Sequence, residues 1–124
     1  MVEVRDLVAR AERLRLLHRG EMLVLPNVWD AASAAVVADA GGRAVATASA
    51  AISASLGYAD GEVAPWQEMF AAAGRVARAV PVPVSVDAEG GYGMEPHELV
   101  DRLLEVGAAG CTGRPGLTAS TRSA

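Results

Sequence analysis

A parallel α/β fold is predicted by three features of the sequence. Helical segments alternate with short apolar runs, those runs are four or five residues long, and glycine or proline marks most junctions. Strict alternation of this kind argues for a parallel sheet covered by helices. An open doubly wound sheet and a (β/α)8 barrel share the pattern. A complete barrel takes about 250 residues, whereas this chain has 124.

The elements follow in order. Val4, Leu7, Val8, Ala11, Leu14 and Leu17 repeat at helical spacing, so a helix is expected over residues 3–18, stopped at Gly20. Residues 22–25 form the first apolar run, closed by Pro26 and Asn27. Asp30 then stands as N-cap of an alanine-rich helix that ends at Gly41 and Gly42. A second strand is expected over 44–47, followed by a small-residue stretch, 48–55, and a loop, 56–61. Pro65 suits the first turn of a helix over 66–79, because its missing N–H costs nothing there. Pro81 and Pro83 end that helix, and residues 82–86 give a third strand. An acidic, glycine-rich turn over 87–93 leads to a helix opened by Pro96 and closed by Gly107. Residues 108–111 begin a fourth strand. From Thr112 to the end the chain loses both periodicities and holds one large apolar residue, so residues 112–124 are expected to be an irregular tail.

The totals exclude several classes. The chain is 52% hydrophobic and 21% charged, the balance of a soluble globular domain. Its net charge of -4 and lack of a basic stripe argue against a nucleic-acid partner. The arginines between Arg10 and Arg19 are interrupted by leucines and read as a solvated helix face. No apolar run reaches the roughly 20 residues that span a bilayer. The start of the chain has no signal-peptide pattern, and one cysteine, Cys111, cannot form an internal disulfide. A cytoplasmic protein with no membrane partner is expected.

The stretch Val84-Ser85-Val86-Asp87-Ala88-Glu89-Gly90-Gly91-Tyr92-Gly93 carries the chemistry. In an extended strand, alternate residues share a face, so Asp87 and Glu89 would set two carboxylates side by side. The C-terminal end of a parallel strand is where ligand loops gather. Adjacent carboxylates repel unless a cation lies between them, and all-oxygen ligands suit Mg²⁺ or Mn²⁺. The plainer alternative is a pair of turn acids ahead of Pro96. Asp60, before Gly61, could reach the same metal through water, or could simply make an Asp-Gly turn. His18, His97, the serines 49, 53 and 55, and Cys111 lack partners for nucleophilic or metal chemistry. Trp29 and Trp66 read as packing anchors.

These segments together resemble the isocitrate lyase and phosphoenolpyruvate mutase superfamily. The resemblance lies in Leu25-Pro26-Asn27-Val28-Trp29-Asp30, in Thr47-Ala48-Ser49-Ala50 with Ser55-Leu56-Gly57-Tyr58-Ala59-Asp60-Gly61, in the residues 84–93, and in Gly107-Ala108-Ala109-Gly110. It covers residues 20–111 in order. It implies the first half of a (β/α)8 TIM barrel, about four parallel strands with helices preceded by an N-terminal helix, over residues 1–111. It implies Mg²⁺ or Mn²⁺ at the barrel mouth, with Asp87 as direct ligand and Glu89 and Asp60 acting mainly through water. These three would form the catalytic group. The backbone at Ala48, Ser49 and Ala50 would hold the carboxylate of a 2-oxo acid, and an enolate would be stabilised while a C–C or P–C bond is made or broken. The family commonly has aspartate at the position of Glu89. Its essential lyase cysteine lies on a later loop, and Cys111 is not its counterpart.

The resemblance implies a truncated lyase or mutase, inactive by itself. The competing reading is a non-catalytic half-barrel that binds metal or a 2-oxo acid and self-associates. The family continues past residue 111 with a segment like Asn-Leu-Glu-Asp, where this chain has Thr112-Gly113-Arg114-Pro115. Codons ACT-GGA-AGA-CCN, read one nucleotide later, encode Leu-Glu-Asp, so a frameshift near codon 112 is expected. Sequencing the coding DNA past codon 110 tests this: a shifted frame should continue with Leu-Glu-Asp and further barrel-like residues, and a frame that stops at once would sink the idea.

Overall fold

The computed structural model describes residues 2–114. Four parallel strands lie in the order β1-β2-β3-β4: β1 (Asn27–Val28), β2 (Val45–Thr47), β3 (Val84–Asp87) and β4 (Gly110–Thr112). Spatial order follows chain order with no reversal, as in a barrel wall and unlike a doubly wound sheet, which reverses at a switch point. The register aligns Val28 with Thr47, Ala46 with Ser85, and Asp87 with Thr112. The C-terminal ends of all four strands therefore open toward one face.

Five helices accompany the sheet: α1 (Val4–Leu17), α2 (Ala31–Asp39), α3 (Ser49–Ser55), α4 (Trp66–Ala79) and α5 (Pro96–Glu105). A reciprocal cap starts α2. The Ser33 N–H donates to Asp30 Oδ1 at 2.7 Å, and the Asp30 N–H donates to Ser33 Oγ at 3.2 Å. Hydrogen bonding from the Ser33 backbone N–H, and then from its side chain, holds the Asp30 carboxyl below its ordinary value. Helix α4 buries Met69, Phe70, Ala73, Val76 and Ala77 against the sheet. Val84, Ser85 and Val86 of β3 are all buried, as expected of a strand covered on both faces. Among the described residues no helix is long and apolar enough to cross a membrane.

Three differences from the sequence reading have physical causes. The first strand forms at Asn27–Val28 and not over 22–25, because only there do backbone groups meet β2: the Ala46 N–H bonds Pro26 O and the Ala48 N–H bonds Val28 O. Met22 and Val24 are left exposed. The small-residue stretch after β2 winds into α3, which buries Ile52 and Ser53. Trp29 is 45% exposed and lies outside the core cluster, whereas Trp66 packs edge-on against Phe70, with its ring centre 5.1 Å from the Arg102 guanidinium carbon. The basic face of α1 is solvated as expected except at Arg10, which bonds Ala77 O.

Thr112 closes β4, and Gly113 and Arg114 follow it beside β3, so regular structure persists past residue 111. The remainder of the expected irregular tail, residues 115–124, lies outside the described residues. Close packing at Gly107 explains that glycine: its φ is 89°, and an added Cβ would stand 2.8 Å from Val2 Cγ2.

Helix α3 gives a direct test of this architecture. Ile52→Ala should cost about 2–5 kcal/mol in urea unfolding, because Ile52 is 2% exposed in the core. Val36→Ala, at a position 69% exposed, should change stability by less than about 0.5 kcal/mol.

Candidate functional site

The site grows from the end of β3. Thr47, buried at the end of β2, accepts the Asp87 N–H on Oγ1 at 2.9 Å, which fixes the two strand ends against each other. Asp87 is half-buried. Its Oδ1 accepts the Glu89 N–H at 3.0 Å, and its other oxygen has no protein hydrogen bond among the described residues.

The strand does not continue to Glu89. Residue 89 turns into the left-handed region with φ 50°, which a side chain tolerates poorly. Asp87 and Glu89 are therefore not alternate residues on one strand face, as the sequence reading expects. They are coupled through a tight turn. The Glu89 carboxylate is buried, with 2% of its side chain exposed. Its Oε2 accepts the Tyr92 hydroxyl at 2.5 Å, and its Oε1 lies 3.4 Å from Arg114 Nη2. Burial foremost, then the bond to Glu89 and the nearby charges of Glu89, Glu62 and Asp87, push the Tyr92 phenol far above its ordinary value. Of these acids, Glu89 is the one bonded to the hydroxyl. The Tyr92 ring also meets Phe70 edge-on at 5.7 Å, which ties the site to α4.

Asp60 behaves differently. It stays exposed and accepts the Gly61 N–H at 2.9 Å, the plain turn contact. Glu62 is the acid from that loop that reaches β3: its Oε2 accepts the Gly90 N–H at 2.7 Å. The sequence reading missed Glu62, whose only signal was its place two residues after Asp60. Among the described residues no three His, Cys, Asp or Glu side chains converge as a ready metal-holding group.

The backbone expected to hold a carboxylate is partly committed. The Ala48 N–H donates to Val28 O at 2.9 Å, so Ala48 is unavailable as a donor because β1–β2 pairing uses it. Ser49 and Ala50 open the first turn of α3, where N–H groups have no intrahelical acceptor, and no side chain caps them. The donor chemistry at the strand ends suits a hard dication. Mg²⁺ keeps several waters and needs only one or two carboxylates. Asp87 offers a free oxygen, while both Glu89 oxygens are engaged by protein.

A family model described as phosphoenolpyruvate phosphomutase matches residues 14–112. The chain belongs to this family. It is 38% identical over 108 residues to an oxaloacetate decarboxylase of a Bradyrhizobium species, covering 84% of this chain and 38% of that protein. It is 36% identical over 101 residues to the chloroplastic carboxyvinyl-carboxyphosphonate phosphorylmutase of Arabidopsis thaliana, covering 78% and 30%. Among solved structures, 2,3-dimethylmalate lyase, a member of the PEP mutase/isocitrate lyase superfamily, superposes with a TM-score of 0.73 at 29% identity, covering 82% of this chain and 37% of that one. The chain thus spans well under half the length of these relatives. Its architecture is the one the resemblance implies, the first half of a barrel with an N-terminal helix.

The buried Glu89–Tyr92 contact is testable by itself. Tyr92→Phe should destabilise the chain by about 1–3 kcal/mol in denaturant unfolding, because it strips a donor from a buried carboxylate. An unchanged midpoint would show that the contact does not form.

Proposed function

We propose that the chain carries the metal-holding part of a Mg²⁺- or Mn²⁺-dependent lyase or mutase that acts on a 2-oxo acid or its precursor. The observation that carries this reading is Asp87, placed at the C-terminal end of β3 with one carboxylate oxygen that has no hydrogen bond among the described residues. Asp87 would be the direct ligand. Glu89 and Asp60 would act through water, which suits Asp60 at an exposed loop and requires Glu89 to release a partner.

The ion, when bound, supplies Lewis-acid stabilisation to an enolate. The chain's own groups bind and orient. Free N–H groups of Ser49 and Ala50 are suited to a substrate carboxylate, and they follow directly on Thr47, which is bonded to Asp87. The Glu62–Gly90 bond holds the two mouth loops together. Support for a small carboxylate substrate comes from the oxaloacetate decarboxylase relative, and support for phosphorus–carbon chemistry from the phosphorylmutase relative.

A second reading is favoured by the surface of the sheet. Cys111 and Thr112 of β4 are exposed, and Val24, Val36, Val100 and Leu104 expose apolar side chains on flanking segments. A non-catalytic half-barrel that binds metal and self-associates would cover such edges.

Mg²⁺ with oxalate, an enolate mimic, should raise the melting temperature, and Asp87→Asn should abolish that shift, with Mn²⁺ affinity falling at least about a hundredfold. Loss of protection in the parent chain would remove the metal reading. Protection without turnover of oxaloacetate, together with a concentration-dependent dimer, would select the half-barrel.

A further inference from the structure

Arg114 sits where the sequence assigns no function. Its position is nevertheless defined by the backbone. The Ala88 N–H donates to Thr112 O at 2.8 Å, and the Arg114 N–H donates to Glu89 O at 2.7 Å. This extends the β3–β4 ladder past both strands and sets the guanidinium beside a buried carboxylate. Arg114 Nη2 lies 3.4 Å from Glu89 Oε1, with the arginine side chain 60% exposed and the glutamate 2% exposed. Both ends of residue 89, its carbonyl and its carboxylate, are thus held by residue 114.

We infer that Arg114 is a built-in counter-cation that competes with a divalent ion for the Glu89 carboxylate. The inference rests on the metal reading above and concerns what occupies the site when no ion does. A buried carboxylate beside Asp87 and Glu62 needs positive charge nearby. Arg114 supplies it from the solvent side, the only guanidinium bonded to these acids among the described residues. The guanidinium takes one lone-pair site of Oε1, and its positive charge 3.4 Å away repels a second cation from the same carboxylate. Its exposure lets it withdraw without unfolding the strand, because the ladder bond at its own N–H can persist.

The test uses Mn²⁺ alone, titrated into the parent chain, Arg114→Ala and Arg114→Lys, with the free-ion electron paramagnetic resonance signal as readout. Arg114→Ala should bind Mn²⁺ about fivefold more tightly, a modest gain because the ion pair is exposed on one side. Arg114→Lys, which keeps the charge, should stay near the parent value. The gain should shrink with added salt. Equal or weaker binding by Arg114→Ala, with Mn²⁺ still held by the parent, overturns the inference and leaves the metal reading in place. Absence of Mn²⁺ binding in all three chains overturns both.

Discussion

The carboxylate of Glu89 is the constraint around which the mouth of this sheet is organised. A buried acid must be satisfied or neutralised, and residue 89 also holds a left-handed backbone that costs on the order of 1–2 kcal/mol for a side chain. Its surroundings answer both demands. Its N–H goes to Asp87, its carbonyl receives Arg114, and its two carboxylate oxygens meet Tyr92 and Arg114. The next N–H, at Gly90, is accepted by Glu62. Five bonds from four residues converge on one turn, so the turn is defined even though β3 itself stops at Asp87.

That turn is coupled to the core by short paths. Tyr92 packs on Phe70 of α4, and Phe70 on Trp66, which in turn faces Arg102 of α5. Thr47 joins the end of β2 to the backbone of Asp87. A shift of α4 along the sheet would therefore move the phenol that holds Glu89, while a slip in β2–β3 register would move Asp87. The acids are positioned in part by packing made elsewhere, which is why the apolar face of α4 matters to a site it touches through Phe70 and Tyr92.

Much of this architecture is legible in the sequence. The bounds of α4 follow from Pro65 before it and Pro81 after it, and α5 from Pro96 and Gly107, because proline and glycine act through backbone geometry that is local. What depends on distant partners is not legible. Residues 22–25 are more apolar than Asn27–Val28, yet the strand forms where β2 offers hydrogen bonds. Helix α3 is hidden because alanine and serine give no amphipathic contrast, and only Ile52 marks its buried side. At the site, Asp87 and Glu89 are visible as a pair, but the turn between them is not. Sequence spacing shows neither the positive φ at residue 89 nor the reach of Glu62 across 28 residues to Gly90.

The arrangement also separates the positioning of the acids from the enclosure of the site. Among the described residues, the hydrogen bonds that position Asp87 and Glu89 lie between residues 47 and 114, drawn from the ends of β2 and β3, from Tyr92 on the turn after β3 and from Arg114 after β4. Placement of these two carboxylates is thus achieved by groups within the described residues. Enclosure is a separate matter: Asp60, Trp29 and Ala50 in the first turn of α3 are each exposed to solvent, and a reactive intermediate is protected only where water is excluded. In the relatives, more than half of each chain lies beyond the matched part. Positioning carboxylates and excluding water therefore have different structural requirements: the first is met by local hydrogen bonds and packing, the second by surfaces that close over a site.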